Sequence, residues 1–268
     1  MTDEARRRDA ETLASHYSDS AEGYAAFWSP VIRPVGFRLL SALPLAGATR
    51  VLDLGTGTGA LLPAIQGFAP AAQLFGVDYS PGMLRQVRTP RVPLAVMDAS
   101  QVGFRAGVFD VAVMAFMLFH IPDPVATLAG VKRVLRPGGA VGVVTWHEDP
   151  LTRAETIWNE ELDAAGAPAA VVTPRYHDLM NTTDKVERLL SDAGFKPGHV
   201  WIERIDHQWA PEQLIGLKVR YGATKRRLDA LDPQARSAFL ERSRDRLAAL
   251  SPDDFLYRAA TVCGVAIT

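Results

Sequence analysis

Short apolar runs alternate with stretches of helical periodicity through the first half of the chain. A strand that is covered on both faces reads as a continuous apolar run and need not alternate. Alternation of strands and helices indicates right-handed crossovers and a parallel sheet. Five buried strands are therefore predicted, over residues 51–54, 73–78, 93–98, 109–115 and 141–146.

Two of the helices between these strands have clear start signals. Ser80-Pro81 begins one helix and Asp123-Pro124 begins another, because serine and aspartate are favoured N-caps and proline suits the first helical position. The second helix is predicted to stop at residues 136–139, where Arg-Pro-Gly-Gly forces a turn.

Additional elements are predicted on both sides of this core. Residues 1–47 form a helical cover, with helices over residues 10–17, 21–28 and 35–43. Residues 149–181 are longer than a tight connection needs and are interpreted as a lid. The remaining elements are a helix over 182–193 that Gly194 caps, a sixth strand over 199–210, a helical block over 211–251 and a last strand over 255–267.

A glycine-rich turn follows the first strand directly, with Gly55, Gly57 and Gly59 after Asp53. Glycines let the backbone turn sharply and let a ligand approach without meeting a Cβ atom. In an open parallel sheet this turn lies at the carboxyl ends of the strands, where ligands bind. The spacing from Gly55 to Ala60, with Asp78 about 20 residues on, also fits a dinucleotide-binding fingerprint.

Four segments occur in a characteristic order, namely residues 51–59, 75–84, 96–100 with Asp98, and 109–122 followed by 135–139. They resemble the motifs of the class I S-adenosylmethionine-dependent methyltransferases, in particular the small-molecule branch with the ubiquinone and menaquinone biosynthesis enzymes (methyltransferase type 11/25 domain). The dinucleotide alternative explains neither Asp98 nor the Leu-Arg-Pro-Gly-Gly turn.

The resemblance implies an α/β fold with a Rossmann-like, seven-stranded, mostly parallel sheet, in which the last strand runs antiparallel beside the sixth. Helices would lie on both faces, with a helical N-terminal cover over 1–47 and a helical insertion before the last strand. Residues 48–148 would be the S-adenosylmethionine-binding core. Residues 149–268 would complete the sheet, and their insertions over 149–181 and 211–251 would border the substrate.

The resemblance also assigns cofactor contacts by position. Asp78 would accept both ribose hydroxyls, and Asp53 would face the methionine ammonium through a water molecule. Asp98 would accept a hydrogen bond from the adenine amino group, although an aspartate at this position also suits a solvated turn. Met83 would flank the adenine, although a methionine there suits the core of a helix equally well. The full set of expected cofactor residues is Asp53, Gly55, Gly57, Gly59, Asp78, Tyr79, Met83, Asp98, Ala99, Ala115, Tyr17 and Tyr24.

The sequence gives less information about the methyl acceptor than about the cofactor. The apolar run 116–119 suits a hydrophobic acceptor or plain core packing, and it replaces the Asn/Asp-Pro-Pro-Tyr motif of amino methyltransferases acting on nucleic acids. His120 and His147 follow the fourth and fifth strands and are candidate catalytic bases, since histidine titrates near neutrality. His16 and His177 are further candidates, and each of these histidines also suits a structural role.

Composition narrows the class of protein. The 268 residues are 48% hydrophobic with a formal charge of −1, which argues against a purely electrostatic nucleic-acid binder. The one cysteine, Cys263, excludes an intrachain disulfide. No apolar stretch follows Arg6-Arg7-Arg8, so the N-terminal residues do not read as a secretory signal. The longest apolar run, 111–119, is too short to span a bilayer. A cytoplasmic protein without membrane insertion is expected.

Residues 218–246 contain nine basic and four acidic side chains. This excess suits either solvated outer faces of helices or an attraction for an acidic substrate or RNA.

The leading hypothesis is an S-adenosylmethionine-dependent methyltransferase that modifies oxygen or carbon of a small, largely apolar metabolite by direct displacement. No metal-ligand cluster is evident in the sequence, and nucleic acid is not the favoured partner. The main alternative is a cyclase or isomerase of natural-product biosynthesis that binds S-adenosylmethionine without transferring its methyl group. An RNA methyltransferase and a non-enzymatic binding protein are further alternatives, and the oligomeric state is not indicated.

Overall fold

Seven strands form one mixed sheet in the computed structural model, which describes residues 3–169 and 175–268. In chain order the strands are β1 Arg50–Leu54, β2 Gln73–Asp78, β3 Leu94–Val96, β4 Phe109–Ala115, β5 Leu135–Glu148, β6 Lys196–Gln208 and β7 Leu256–Ile267. Their order across the sheet is β3-β2-β1-β4-β5-β7-β6. β1 to β5 pair in parallel, whereas β7 runs antiparallel to β5 and β6. The predicted Rossmann-like, mostly parallel sheet is confirmed.

Helices precede and connect the strands. They are α1 Asp3–Asp19, α2 Ala21–Gly23, α3 Ser29–Ser41, α4 Leu62–Phe68, α5 Pro81–Leu84, α6 Pro124–Val134, α7 Arg153–Ala164, α8 Thr183–Asp192, α9 Pro211–Arg220, α10 Gly222–Asp229 and α11 Pro233–Ala248. Residues 1–2 of the predicted cover and 170–174 of the predicted lid lie outside the described residues.

Several strands differ from their predicted bounds, among them β6, which spans Lys196–Gln208 rather than 199–210. β5 begins at Leu135, so the predicted Arg-Pro-Gly-Gly turn lies inside the strand, where the register with β4 shifts. β3 is shorter than the predicted 93–98 because Pro93 has no N–H for the ladder and Asp98 already caps the following turn.

The N-terminal cover is more continuous than predicted. α1 begins at Asp3 rather than at residue 10, and a π-helical turn over Tyr24–Trp28 joins α2 to α3. The predicted helix start at residue 35 is wrong, because α3 begins at Ser29 and contains Pro34. Apolar side chains on both sides of this proline are buried, and their packing outweighs the hydrogen bond that the proline removes.

Apart from α8, the helices after β5 belong to two predicted insertions that contact each other. α7 comes from the first insertion and packs against α11, which comes from the second. Thr152 and Glu155 form a reciprocal capping box that begins α7, and Asp232 accepts from two backbone N–H groups to begin α11. The two insertions therefore form one helical layer beside the sheet.

Candidate active site

A cavity of about 850 Å³ lies at the edge of the sheet where β1, β2 and β4 end. This edge is where open parallel sheets bind ligands, and the volume is within the range of small-molecule sites. α1 covers the cavity through its Ala10, Leu13, Ala14 and Tyr17 face. The helical cover and the sheet edge together enclose a site for a ligand.

The glycine-rich turn after β1 forms part of the cavity wall through Gly55 and Gly57. Both have positive φ angles, 71° and 56°, a conformation that side chains disfavour. A Cβ atom on Gly55 would lie 2.7 Å from the Cβ of Met117. The turn therefore requires glycine for its own conformation and for its contact with the residues after β4.

Asp78 is placed by the same turn at the end of β2. Its two carboxylate oxygens accept from the backbone N–H groups of Gly57 and Ser80, each at 2.8 Å. Burial raises the pKa of Asp78, and the hydrogen bonds from Ser80 and Gly57 oppose that rise. A carboxylate has about four acceptor sites, so this side chain retains capacity for a ligand's hydroxyl groups.

Asp53 and Gly59 lie outside the cavity lining, although the sequence predicted both as cofactor residues. Asp53 is buried and accepts from the hydroxyl of Thr56 at 2.7 Å. Burial raises its pKa to about 7, so the carboxyl group would ionise more readily beside a cation. Gly59 has a φ of 75°, and a Cβ there would meet Val87 at 2.9 Å. Its contacts are with packing side chains.

The other predicted cofactor residues converge on the cavity. Asp98 caps the turn after β3 through one oxygen, which accepts from the Ser100 N–H at 2.8 Å. The Met83 side chain is buried yet reaches the cavity beside Gly57. The members of the predicted set that line the cavity are Gly55, Gly57, Asp78, Tyr79, Met83, Asp98, Ala99, Ala115, Tyr17 and Tyr24.

Hydrogen bonds between Ser18 and the residues at the start of α5 hold α1 against α5 beside the cavity. The Ser18 hydroxyl lies 2.8 Å from the Ser80 hydroxyl and accepts from the Gly82 N–H at 3.1 Å. The approach is so close that a Cβ on Gly82 would lie 2.4 Å from the Ser18 Cα. The position of the cover therefore depends on Gly82.

An aromatic wall, consisting of Tyr17, Tyr24, His120 and Tyr176, forms another part of the cavity lining. The Tyr17 hydroxyl and His120 Nε2 are 3.0 Å apart, and the rings of Tyr17 and Tyr24 meet edge to face. Phe116 lies beside this wall with a φ of 57°, an uncommon conformation for a side-chain-bearing residue. Such backbone strain clusters at functional sites.

His120 is the candidate base that the structure places in the cavity wall. Burial, together with the positive charges of Arg175 and His177, lowers its pKa to about 3. Its Nδ1 atom is buried without a hydrogen-bond partner among the described residues. At neutral pH the ring is therefore uncharged, a state in which one ring nitrogen can donate and the other can accept a hydrogen bond.

The other candidate bases lie away from the cavity lining. His147 Nδ1 is 2.6 Å from the Asn181 carbonyl oxygen, which holds the ring against the segment before α8. The His177 ring stacks on Phe119 at 4.4 Å, and burial lowers its pKa. Burial also lowers the pKa of His16 on α1.

Some cavity residues and their supports were missed at the sequence level. Tyr176 lines the cavity because its N–H donates to the Phe119 carbonyl at 2.7 Å. Tyr221 supports the aromatic wall, stacking on Trp28 and meeting Tyr24 edge to face. Neither tyrosine belongs to a periodic pattern or a motif, so only their contacts with distant residues identify them.

The basic segment 218–246 is largely paired with acidic side chains. Arg242 and Arg246 bind Glu161 of α7, and Arg227 binds Asp163. Lys225 and Arg236 bind Asp229 within the segment itself. Much of the local positive charge is therefore neutralised within the helical layer, which does not favour RNA as the partner.

Within residues 3–169 and 175–268, no group of three or more His, Cys, Asp or Glu side chains is arranged to hold a metal ion. No helix of the same residues has both the length and the apolar character that crossing a membrane requires.

Comparison with known proteins gives a consistent pattern. Residues 52–143 match the model of the methyltransferase domain. The aklanonic acid methyltransferase DauC of Streptomyces sp. strain C5 is 32% identical over 148 residues, which are 52% of this chain and 66% of that protein. A demethylmenaquinone methyltransferase of Mycolicibacterium gilvum strain PYR-GCK is 32% identical over 140 residues, 52% of this chain and 58% of the relative. The matches thus span less than two thirds of either relative.

Among solved structures, the 4+2 cyclase SpnF is similar with a TM-score of 0.53. The matched region covers 87% of this chain and 80% of the SpnF chain, and the sequence identity is 18%. At this identity the likeness establishes a shared fold and carries no information about activity.

Proposed function

The chain belongs to the class I S-adenosylmethionine-dependent methyltransferases, and we propose that it methylates oxygen or carbon of a small, largely apolar metabolite by direct displacement. The predicted cofactor, S-adenosylmethionine, is the cofactor of this family. The observation that carries the proposal is the enclosed cavity in which Asp78, the glycine turn and the aromatic wall meet. The finer assignments of acceptor and residue roles are part of the proposal.

The residues present fit this cofactor. Gly55 and Gly57 form a turn without side chains, and Asp78 is a buried carboxylate with acceptor capacity to spare for a ribose diol. Asp53 lies outside the cavity lining and would act on the methionine ammonium through a bridging water molecule, and the charge of the ammonium would favour the ionised carboxylate. Asp98 and Ala99 would contact the adenine, flanked by Tyr79 and Met83. Ala115 would border the methionine part.

When bound, S-adenosylmethionine supplies a methyl group that its cationic sulfur already activates. The protein's share of the reaction is then to position the acceptor and to exclude water. Tyr17 and Tyr24 on the cover enclose the cavity, while Phe116 and Met117 give it an apolar surface. His120, neutral and bonded to Tyr17, would orient the acceptor through hydrogen bonds.

The alternative of a cyclase or isomerase gains no support from the likeness to SpnF, because that likeness concerns the fold alone. An acceptor-dependent release of S-adenosylhomocysteine would distinguish methyl transfer from such an activity. Residues 149–181 would form a lid over the substrate, and residues 211–251 would form a wall of the substrate cavity.

Calorimetric titration of the purified protein tests the cofactor. We expect S-adenosylmethionine and S-adenosylhomocysteine to bind in the micromolar range, and NAD not to bind. Release of S-adenosylhomocysteine with a panel of apolar hydroxyl and carbon acceptors then tests transfer. Binding of NAD in preference to S-adenosylmethionine would contradict the proposal.

Replacing Gly82 by alanine is expected to weaken S-adenosylhomocysteine binding by about tenfold, which corresponds to roughly 1.4 kcal/mol of binding free energy. The reason is that displacement of α1 opens the cavity that it covers. The added Cβ would lie 2.4 Å from the Ser18 backbone, so α1 has to move. Calorimetry measures the affinity, and limited proteolysis of α1 reports the position of the cover.

Gly130→Ala is the matched control for this change. Gly130 also lies in a helix, but a Cβ there meets nothing within 4 Å. This variant should bind normally and unfold at a slightly higher temperature, because alanine is the better helix former. Equal affinities for the two variants would show that the cover does not control binding.

A further inference from the structure

The helical block over residues 211–251 contributes no side chain to the lining of the cavity. The wall proposed for this block therefore lies one layer behind the side chains that a ligand would touch. Tyr221 reaches that lining from behind, because its ring meets the Tyr24 ring edge to face at 5.3 Å and lies 6.5 Å from the Tyr17 ring. Tyr17 and Tyr24 themselves line the cavity.

The block packs unusually closely against the N-terminal cover where Tyr221 lies. A Cβ atom on Gly216 of α9 would lie 2.6 Å from the Phe27 ring. A Cβ atom on Gly23 of α2 would lie 2.3 Å from the Arg220 carbonyl oxygen. Both approaches need glycine, so the backbone directly before Tyr221 is in contact with the cover.

The backbone of Tyr221 is held on both sides. The residue is extended, with φ −137° and ψ 143°, and it separates α9 from α10. Its N–H donates to the Leu217 carbonyl at 2.8 Å, and its carbonyl accepts from the Thr224 hydroxyl at 3.4 Å. The junction between the two helices therefore fixes where the ring begins.

The Tyr221 ring is also connected to the sheet through Trp28. The two rings stack with centroids 6.4 Å apart and an interplanar angle of 19°. Trp28 in turn contacts Trp146 of β5 at 6.1 Å and Tyr257 of β7 at 5.7 Å. Aromatic rings in such contacts restrict one another's orientation. Tyr221 thus occupies a fixed position between the sheet and the aromatic wall.

On the cavity side, the Tyr17 ring lies among those of His120, Tyr24 and Tyr221, at 5.6, 6.1 and 6.5 Å. Its hydroxyl is 3.0 Å from His120 Nε2. Hydrogen bonds weaken steeply when they are misaligned, so this bond depends on the orientation of the Tyr17 ring. Tyr221 restricts that orientation directly and also through Tyr24.

Building on the proposed function, we propose that Tyr221 is a positioning residue of the site. It holds the rings of Tyr17 and Tyr24, and thereby the hydrogen bond that fixes the His120 ring in the cavity wall. Tyr221 itself does not touch the ligand. The helical block 211–251 therefore acts on the acceptor at one remove, through this side chain.

Nuclear magnetic resonance of protein isotope-labelled in its histidine rings tests the proposal. The His120 Nε2 resonance is identified by its absence from the spectrum of His120→Gln. Tyr17→Phe should displace this resonance, because the hydrogen bond is removed. We expect Tyr221→Leu to displace it in the same direction. The double variant should show no larger displacement than Tyr17→Phe alone, because both changes act on one hydrogen bond.

Two further variants separate positioning from general loosening. Tyr221→Phe keeps the ring and should retain most of the wild-type position of the resonance. Phe239→Leu removes a buried ring that packs on Trp158 elsewhere in the helical layer, at 4.9 Å. It should lower the temperature of thermal unfolding and leave the His120 resonance where it is. Tyr221→Met, which fills a similar space with a flexible chain, replaces the leucine variant if that variant does not fold.

An unmoved His120 resonance in a folded Tyr221→Leu or Tyr221→Met protein would overturn the proposal. An equal displacement in Phe239→Leu would do the same, since any loosening of the layer would then suffice. A displacement in Tyr221→Phe as large as that in Tyr221→Leu would show that the ring contacts do not hold the wall. Failure of the wild type to bind S-adenosylhomocysteine would contradict the proposed function, whereas the comparison of histidine spectra does not depend on that binding.

Discussion

Replacing Asp78 by alanine is expected to weaken S-adenosylmethionine binding by about 10- to 150-fold, or roughly 1.5–3 kcal/mol, the usual loss for charge-assisted hydrogen bonds. Two effects combine. The Asp78 carboxylate is the proposed acceptor for the ribose hydroxyls, and it also holds the Gly57 and Ser80 N–H groups. Its removal therefore takes away a ligand contact and loosens the glycine turn. Calorimetric titration of the variant measures the loss.

Asp78→Asn separates these two effects. An amide has a single acceptor oxygen, which cannot accept hydrogen bonds from both backbone N–H groups and from the two ribose hydroxyls as well. We therefore expect a loss of affinity smaller than that of Asp78→Ala. Asp206→Ala, which removes an exposed carboxylate from β6, is the control and should bind as the wild type does. Binding that is indifferent to Asp78 would contradict the assignment of this residue to the cofactor.

The part of the site that sequence could predict is the part made by local segments. The glycine turn, Asp78 and Asp98 each follow a strand directly, and their apolar runs and start signals lie within a few residues of them. The structure places Gly55, Gly57, Asp78 and Asp98 together at one edge because parallel strands align their carboxyl ends there. The parallel topology therefore brings together, in one cavity, residues that were predicted from separate local segments.

The rest depends on contacts between distant residues, which periodicity does not report. Tyr17 reaches His120 across 103 positions, and Ser18 reaches Gly82 across 64. The continuous helix through Pro34 and the early start of β5 have the same origin, since tertiary packing outweighs a local stop signal. The residues at the sheet edge of the cavity were therefore easier to predict from the sequence than those of the opposing wall.

The sequence predicted one insertion as a lid and the other as a wall of the substrate cavity, yet ion pairs join them. Arg242 and Arg246 of α11 share Glu161 of α7, and Lys218 of α9 binds Glu155 of the same helix. The last of these pairs is buried, whereas the arginines are partly exposed. Exposed pairs contribute little, so the buried pair is the one on which the helical layer depends.

Replacing Lys218 by methionine is therefore expected to lower the free energy of unfolding by about 3–5 kcal/mol, because it leaves a buried carboxylate without its partner. Lys218 Nζ lies 2.6 Å from Glu155 Oε1, with side-chain exposures of 11% and 8%. Burial alone would raise the pKa of Glu155, but the charge and hydrogen bond of Lys218 and the hydrogen bonds from Thr152 lower it below its usual value. Urea unfolding at neutral pH measures the loss.

The pH dependence gives this prediction a distinctive sign. A carboxyl group whose pKa is lowered by folding contributes stability above its unfolded pKa, and that stability is lost as the pH falls through the folded value. The deficit of Lys218→Met should therefore shrink as the solution is acidified, because protonation of Glu155 removes the unpaired charge. Adding Glu155→Gln to Lys218→Met should recover part of the loss, as neutral partners tolerate burial better.

Lys225→Met is the control, since Lys225 pairs with Asp229 one helical turn away at the more exposed surface of α10. Exposed pairs of this kind contribute about 0–1 kcal/mol, so this variant should unfold almost as the wild type does. A deficit for Lys218→Met that is as small as the control's, or that does not change on acidification, would mean that water solvates Glu155 in the folded protein. The two insertions would then be held together by their apolar contacts, above all by Trp158 of α7 against Phe239 of α11.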